Sequence, residues 1–393
     1  MSLYSTSTFQ VRQKGFLSQT KNQSRGVRQG CPLSPYLFII VLSHLMDEVQ
    51  TKYEATYGPV PTLFNATSPL WDLEYADDTV LLGRTAQTVQ RFLDILVPLA
   101  YDKGLVLNSD KCEHLSIGSD LDLNLTHPVT NIKTAIPRVQ TTKYLGVLLT
   151  PNSDNLVEIR KRLQSANASY RLLKPFLTHS CIPLKWRLQV YTQIISAILS
   201  YGLNSVSLDS RALSLLDAFH FKVMRRCLGE KSTFFHKVIR PTETQCSNYY
   251  IHKKLASLDL ATPTPSQYLQ DSTLKLLGHI FRHPEELAHQ VLFGPCNSVK
   301  RITPKCRSGA PRLHWLETAL VTADNRINTY ILNGSIPEVG LLSHPYFDTI
   351  DRDKIQDTLG ASIFDRIDTT SIYRKVHDFS HRSSWKLLSH TKR

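Results

Sequence analysis

No aspartate or glutamate occurs before Asp47, and acids are scarce overall: 33 against 46 lysines and arginines in 393 residues, a net charge of +13. That imbalance fits a partner bearing phosphates, through counterion release and electrostatic steering. Cysteine is sparse and unordered. The seven cysteines include no Cys-x₂₋₄-Cys pair, which excludes a regular zinc finger. His279, His283, Cys296 and Cys306 could be assembled into a zinc site only at irregular spacings. An odd cysteine count without a signal peptide points to free thiols in a reducing compartment. Long apolar runs are missing too. Tyr36 to Met46 is apolar but carries Ser43 and His44, is followed by Asp47 and Glu48, and is too short to span a bilayer. These absences lead us to expect a soluble intracellular protein with no membrane partner. Repeats and low-complexity tracts are also absent.

What is present is ordinary apolar content, 41%, on a chain long enough for two or three domains. Within it, Leu73-Glu74-Tyr75-Ala76-Asp77-Asp78-Thr79-Val80-Leu81-Leu82 sets two adjacent carboxylates between two apolar runs. The pattern predicts strand, tight turn, strand, with Asp77 and Asp78 at the tip. Side chains alternate along a strand, so the two aspartates point differently. Clustered carboxylates call for a cation, and hard oxygen ligands suit Mg²⁺ with substrate phosphates. Two metals clamping the attacking and leaving oxygens is the chemistry of nucleotidyl transfer. Asp-Asp in a solvated turn is also common, so the pair alone does not decide.

Upstream stands Arg25-Gly26-Val27-Arg28-Gln29-Gly30-Cys31-Pro32-Leu33-Ser34-Pro35-Tyr36-Leu37-Phe38. This string and the Tyr75-Ala76-Asp77-Asp78 turn, in this order and spacing, resemble motifs B and C of reverse transcriptases. The resemblance is to the non-LTR (LINE-like) retrotransposon polymerases, and it covers roughly residues 4 to 230. It implies an α+β fold: a partial right-hand palm over 1–150, a helical thumb over 151–230, and a mainly helical region over 231–393. The activity implied is RNA-directed DNA polymerisation, with an RNA template, a DNA primer, a dNTP and two Mg²⁺. The product of such an element would act in the nucleus.

Residue by residue, the resemblance makes Asp77 and Asp78 the metal-binding catalytic carboxylates. It makes Arg28, Gln29, Gly30 and Tyr75 contacts for nucleotide and template. Gly104, Asn108 and Lys111 resemble motif D, whose lysine assists the departing pyrophosphate. Tyr144, Leu145 and Gly146 resemble motif E, the primer grip. The family's motif A should supply another aspartate several dozen residues before motif B, and no acid stands there. We therefore expect an N-terminally truncated polymerase, inactive as an isolated chain. The alternative is a non-catalytic RNA- or DNA-binding remnant. A viral RNA polymerase, with Gly-Asp-Asp at the turn, fits less well.

The remaining pattern supports these placements. Thr8 to Val11 and Gly15 to Leu17 suit a strand pair. Ser34 caps and Pro35 opens a helix to about Lys52. Thr85 opens another through Val89, Phe92, Leu93, Leu96 and Leu99, closed by Gly104. Leu105 to Asn108 and Cys112 to Ile117 read as strands, 118–135 as a polar connector, and Thr142 to Leu149 as strand-like around Gly146. Three helices follow: from Asp154, from Pro183 to Gly202, and from Asp209 or Ser210 to near Gly229. The first bears Arg160, Lys161 and Arg171 on one face. Thr273 to Arg282 and Arg312 to Leu332 read as further helices, and Arg374 to Arg393 as a basic tail.

Overall fold

The computed structural model describes residues 8–22, 26–27, 30–61, 63, 69–118, 121–151, 155–230, 247–293, 315–332 and 376. It divides into two compact units, Met1–Gln140 and Thr141–Arg393. Both mix helices with small antiparallel sheets, consistent with the α+β expectation, and among the described residues every sheet is a pair of strands.

The first unit opens with a ribbon of short strands, β1 (Thr8–Phe9) with β4 (Lys21–Asn22) and β2 (Arg12–Gln13) with β3 (Phe16–Leu17). Helix α1 spans Ser34–Tyr57. It begins at Ser34 with Leu33 as its cap and no side-chain capping bond, so Ser34 is inside the helix rather than capping it. It also runs five residues past Lys52, because Tyr53 buries fully and Gly58, at φ 84°, makes the stop. Of the expected apolar face, Leu42, Leu45 and Val49 are buried, together with Met46, while Val41 is exposed.

Next come β5 (Asp72–Tyr75) and β6 (Asp78–Leu81), then α2 (Ala86–Asp102), capped by the Thr85 side chain accepting from the Thr88 amide. Phe92 of α2 lies between Tyr53 of α1 and Trp71, with ring centroids 4.2 and 4.4 Å away and near-parallel planes. Leu45, Val49, Leu96 and Leu99 fill the same core. Full burial of one such side chain stabilises by about 1.5–3 kcal/mol.

After Gly104 the structure departs from expectation. Leu105–Asn108 is irregular and leads to a short 3₁₀ turn, Ser109–Lys111. Cys112–Ile117 contributes only an isolated bridge, His114 to Arg138. The stretch that reads as a polar connector instead contains the hairpin β7 (Asn124–Thr126) and β8 (Lys133–Ala135). Leu123 and Leu125 are buried against α2, and Gln90 ties the helix to the strand by exchanging bonds with the Asn124 backbone at 2.8 and 2.9 Å.

The second unit opens with the hairpin β9 (Thr142–Tyr144) and β10 (Val147–Leu149). Helix α3 (Asn155–Leu177) follows; Asp154, its expected cap, lies outside the described residues. Helix α4 (Leu184–Val190) continues through one π-helical stretch, Tyr191–Ser196, into α5 (Ala197–Ser200). The π stretch holds buried Tyr191, whose hydroxyl meets His220 Nδ1 at 2.8 Å. Burial pulls the His220 imidazole down to about 4, so the pair is neutral in the core. Helix α6 (Ser210–Cys227) is capped by Asp209, which accepts from the Ala212 amide at 2.7 Å.

Beyond it lie α7 (Asn248–Ser257), α8 (Pro265–Arg282), α9 (Leu287–Phe293) and α10 (Trp315–Leu332). Helix α8 starts eight residues earlier than its apolar spacing suggests. Thr264 and Gln267 form a capping box and Pro265 occupies the first turn.

Replacing Phe92 with alanine should destabilise the first unit by about 3–5 kcal/mol, since the rings of Tyr53 and Trp71 would then face a void. Urea unfolding followed by fluorescence and near-UV circular dichroism would show an earlier transition for the Trp71 environment. An unchanged midpoint would mean the three-ring stack does not hold this unit.

Candidate carboxylate site and primer-grip hairpin

The β5–β6 register pairs Tyr75 with Asp78 and leaves Ala76 and Asp77 as a two-residue turn. Turns this short require positive φ at one or both central residues. Here Ala76 adopts φ 55°, a left-handed conformation costly for any residue with a Cβ, by about 1–2 kcal/mol. The ladder continues at the root, where the Leu82 amide donates to the Trp71 carbonyl at 2.6 Å. Trp71 Nε1 donates to Gln50 of α1 at 3.3 Å. The hairpin base is thereby fixed on the helix that begins four residues after Gly30.

Asp77, Asp78 and Tyr75 are all exposed, Tyr75 at 63%. Strand alternation puts Asp78 and Tyr75 on one face of the ribbon, and Asp72 and Glu74 on the other. Asp72 and Glu74 are not among the residues that the sequence pattern singles out. Burial raises the Asp72 carboxyl above the usual range, and the nearby Asp47 carboxylate of α1 adds to the rise. Glu74 is raised by desolvation first, then by Asp72 and Asp47. Their positions, at alternate residues before a Tyr-x-Asp-Asp turn, are a signal present in the sequence. They face away from Asp78 and so do not enlarge its donor set.

Gly30 is exposed with φ 84°, and open space surrounds its Cα, so backbone can be approached closely there. Arg28 and Gln29 lie outside the described residues. Lys111 is exposed at the end of the 3₁₀ turn of the first unit. Tyr144, Leu145 and Gly146 form the tip of β9–β10 in the second unit. Leu145 at φ 46° and Gly146 at φ 83° make a two-residue turn with both central residues left-handed.

The His279 and His283 rings lie 4.5 Å apart, and each meets a glutamate at 3.0 Å, Glu286 and Glu285 respectively; Cys296 and Cys306 lie outside the described residues. Among the described residues no group of three or more His, Cys, Asp or Glu is arranged to hold a metal ion. The Asp77–Asp78 pair therefore offers two hard oxygen-donor side chains, with no third among the described residues. Two such donors fit Mg²⁺, which keeps several waters and takes substrate phosphates as further ligands.

Comparison with known sequences bears on the first part of the chain. Residues 2–149 match the reverse transcriptase (RNA-dependent DNA polymerase) family. This segment is similar to reverse transcriptases of non-LTR retrotransposable elements. The chain is 31% identical over 143 residues to a retrovirus-related Pol polyprotein from the R2DM retrotransposable element of Drosophila melanogaster. That alignment covers 35% of this chain and 13% of the relative. It is 29% identical over 245 residues to the R2 polyprotein of Popillia japonica, covering 57% of this chain and 30% of the relative. A transposon-derived protein of Caenorhabditis elegans shares 22% identity over 216 residues, 55% of this chain and 73% of its own length. The reverse transcriptase segment thus spans less than a third of the R2 polyproteins it matches. No helix among the described residues is long and apolar enough to cross a membrane.

Because the Asp72 carboxyl is raised, its charged form is disfavoured by folding. Stability should fall as pH rises through the window just above the ordinary carboxylate value. Asp72→Asn should therefore raise the melting temperature of the first unit near neutral pH. The gain should vanish when the pH is lowered far enough to protonate the wild-type carboxyl. A gain that persists unchanged in acid would rule out charge burial as its cause.

Proposed function

We propose that the reverse transcriptase segment is part of an RNA-directed DNA polymerase palm, and that the second unit's first helices form a thumb-like domain. The observation that carries this reading is the exposed Asp77–Asp78 pair at the tip of a rigid two-stranded hairpin. It follows a glycine-opened loop and helix in the order the family uses. In this reading Asp77 ligates the metals and Asp78 supports the site. Gly30, with Arg28, Gln29 and Tyr75, shapes the nucleotide and template pocket. Residues 144–146 hold the primer end.

The primer 3′ hydroxyl gives its proton to water as its oxygen bonds to the α-phosphorus of a dNTP, the bond from that phosphorus to the oxygen bridging the β-phosphate breaks, and pyrophosphate leaves. Bound magnesium would supply charge neutralisation on the phosphates. Lys111, if it reaches the leaving group, adds a proton or a positive charge. The family resemblance asks for a further aspartate several dozen residues before Arg25, and the first acid of this chain is Asp47. Asp72 and Glu74 occupy the wrong face of the hairpin to replace it. This chain on its own should therefore show no appreciable polymerisation.

Incubation with poly(rA), oligo(dT), dTTP and Mg²⁺ tests that expectation. Robust incorporation that disappears in Asp77→Ala would overturn it.

A second reading, a nucleic-acid binder without catalysis, is favoured by helix α3. Its exposed charges are Arg160, Arg171 and Lys174, with Lys161 half-buried; its one acid, Glu158, is buried and paired. A helix face of one sign suits a phosphate backbone. Duplex affinity should fall steeply with salt. The double change Arg171→Ala and Lys174→Ala should reduce the log–log salt slope by about 2, near 0.9 for each phosphate no longer neutralised. An unaltered slope would remove α3 from the interface.

A further inference from the structure

The turn at Leu145–Gly146 is gripped from behind by residues that no motif names. Tyr201 donates its hydroxyl to the Leu145 carbonyl at 3.0 Å. Arg162 donates to the Gly146 carbonyl at 2.6 Å. The same guanidinium lies 4.9 Å from the centre of the Tyr201 ring and is ion-paired to Glu158. Glu158 in turn accepts from the Leu148 amide of β10 at 2.8 Å. One chain of interactions therefore binds both carbonyls of the turn and the strand leaving it.

The backbone is shaped to admit this grip. A Cβ on Gly146 would lie 3.2 Å from the Tyr201 ring, and one on Gly202 would lie 2.5 Å from Val147. Both glycines also sit at positive φ, 83° and 72°. A side chain at Gly146 would crowd the Tyr201 ring, and one at Gly202 would collide with Val147 of β10. Glu158 and Arg162 are 3% and 9% exposed, which is costly for charges unless geometry is fixed. The opposite side of the tip is open: Lys143 and Leu145 are exposed.

We propose that Tyr201, Arg162 and Glu158 are positioning residues that hold the Leu145–Gly146 turn in the shape that receives a primer 3′ end. The inference rests on reading residues 142–149 as the primer-holding hairpin. Turn carbonyls tied to a buried guanidinium and a phenol cannot rotate. The exposed Lys143 and Leu145 side chains then keep one presentation toward the nucleic acid.

The test uses the full chain, wild type and Tyr201→Phe, a change that keeps the ring and removes one hydroxyl. Two probes are compared by fluorescence anisotropy: an RNA–DNA duplex with a recessed DNA 3′ end, and a blunt duplex of equal length. Hydrogen exchange is followed across residues 142–149. In Tyr201→Phe we expect exchange there to quicken, and preference for the recessed end to fall, each by roughly fivefold, the scale of one missing hydrogen bond. Blunt-duplex affinity should stay as in wild type, and the melting transition should fall by no more than about 2–4 °C. The paired change Glu158→Leu with Arg162→Met removes both charges together and should abolish the preference.

Wild-type exchange and preference in Tyr201→Phe would overturn the proposal. So would faster exchange with the preference intact, because the lock would then be structural only. A wild-type chain without any preference for the recessed end would instead defeat the primer-grip reading itself, and the proposal with it.

Discussion

Three stacked rings, Tyr53, Phe92 and Trp71, are what the carboxylate hairpin depends on. A two-stranded ribbon has little stability of its own in water. Here its first strand follows directly from Trp71, which is clamped between α2 and the Gln50 side chain of α1. The ribbon borrows rigidity from that core at one end and leaves its other end free. Ala76 shows what this permits. A left-handed alanine is tolerated only where surrounding structure over-determines the backbone, and such strain collects at functional sites. Aspartates on a loose loop would scatter their oxygens; the anchored ribbon fixes the backbone that carries both at its tip.

The two hairpins of interest solve the same problem differently. The carboxylate turn is strained and bare, with Asp77 and Asp78 directed to solvent. The Leu145–Gly146 turn uses glycine where a side chain would collide, and is held from behind by buried charge and an aromatic plate. A metal site needs open approach for phosphates and water. A surface that receives a strand end needs a fixed outline. The local chemistry of each turn suits the role proposed for it.

Much of this is legible from residue order. The strand–turn–strand around Asp77, the helix capped by Thr85, the hairpin around Gly146 and the helix capped by Asp209 all appear where pattern and capping chemistry put them. The departures have identifiable causes. Leu121-Asp122-Leu123-Asn124-Leu125 alternates as a strand should, yet its polar neighbours and lack of β-branching mask it. Leu105-Val106-Leu107 is an apolar run that reads as a strand, but among the described residues no strand pairs with it, and Leu105 and Leu107 pack half-buried without a ladder. Helix α8 is longer than its pattern suggests because Pro263 and Pro265 look like loop residues; Pro265 is a helix-opening proline, announced by Thr264 and Gln267. The grip on the Leu145–Gly146 turn is invisible in the sequence because its members are up to 56 residues apart and only packing brings them together.

The strands of this protein never pair more than two deep among the described residues. The carboxylate ribbon, two strands wide among the described residues, therefore keeps backbone amide and carbonyl groups along its flanks outside its own ladder. For the carboxylate ribbon, this makes the molecule a receptive template: another extended segment could join its flank without disturbing the anchored core. The same openness makes unshielded copies prone to stick to one another, so solubility and completeness of the sheet are two faces of a single structural property.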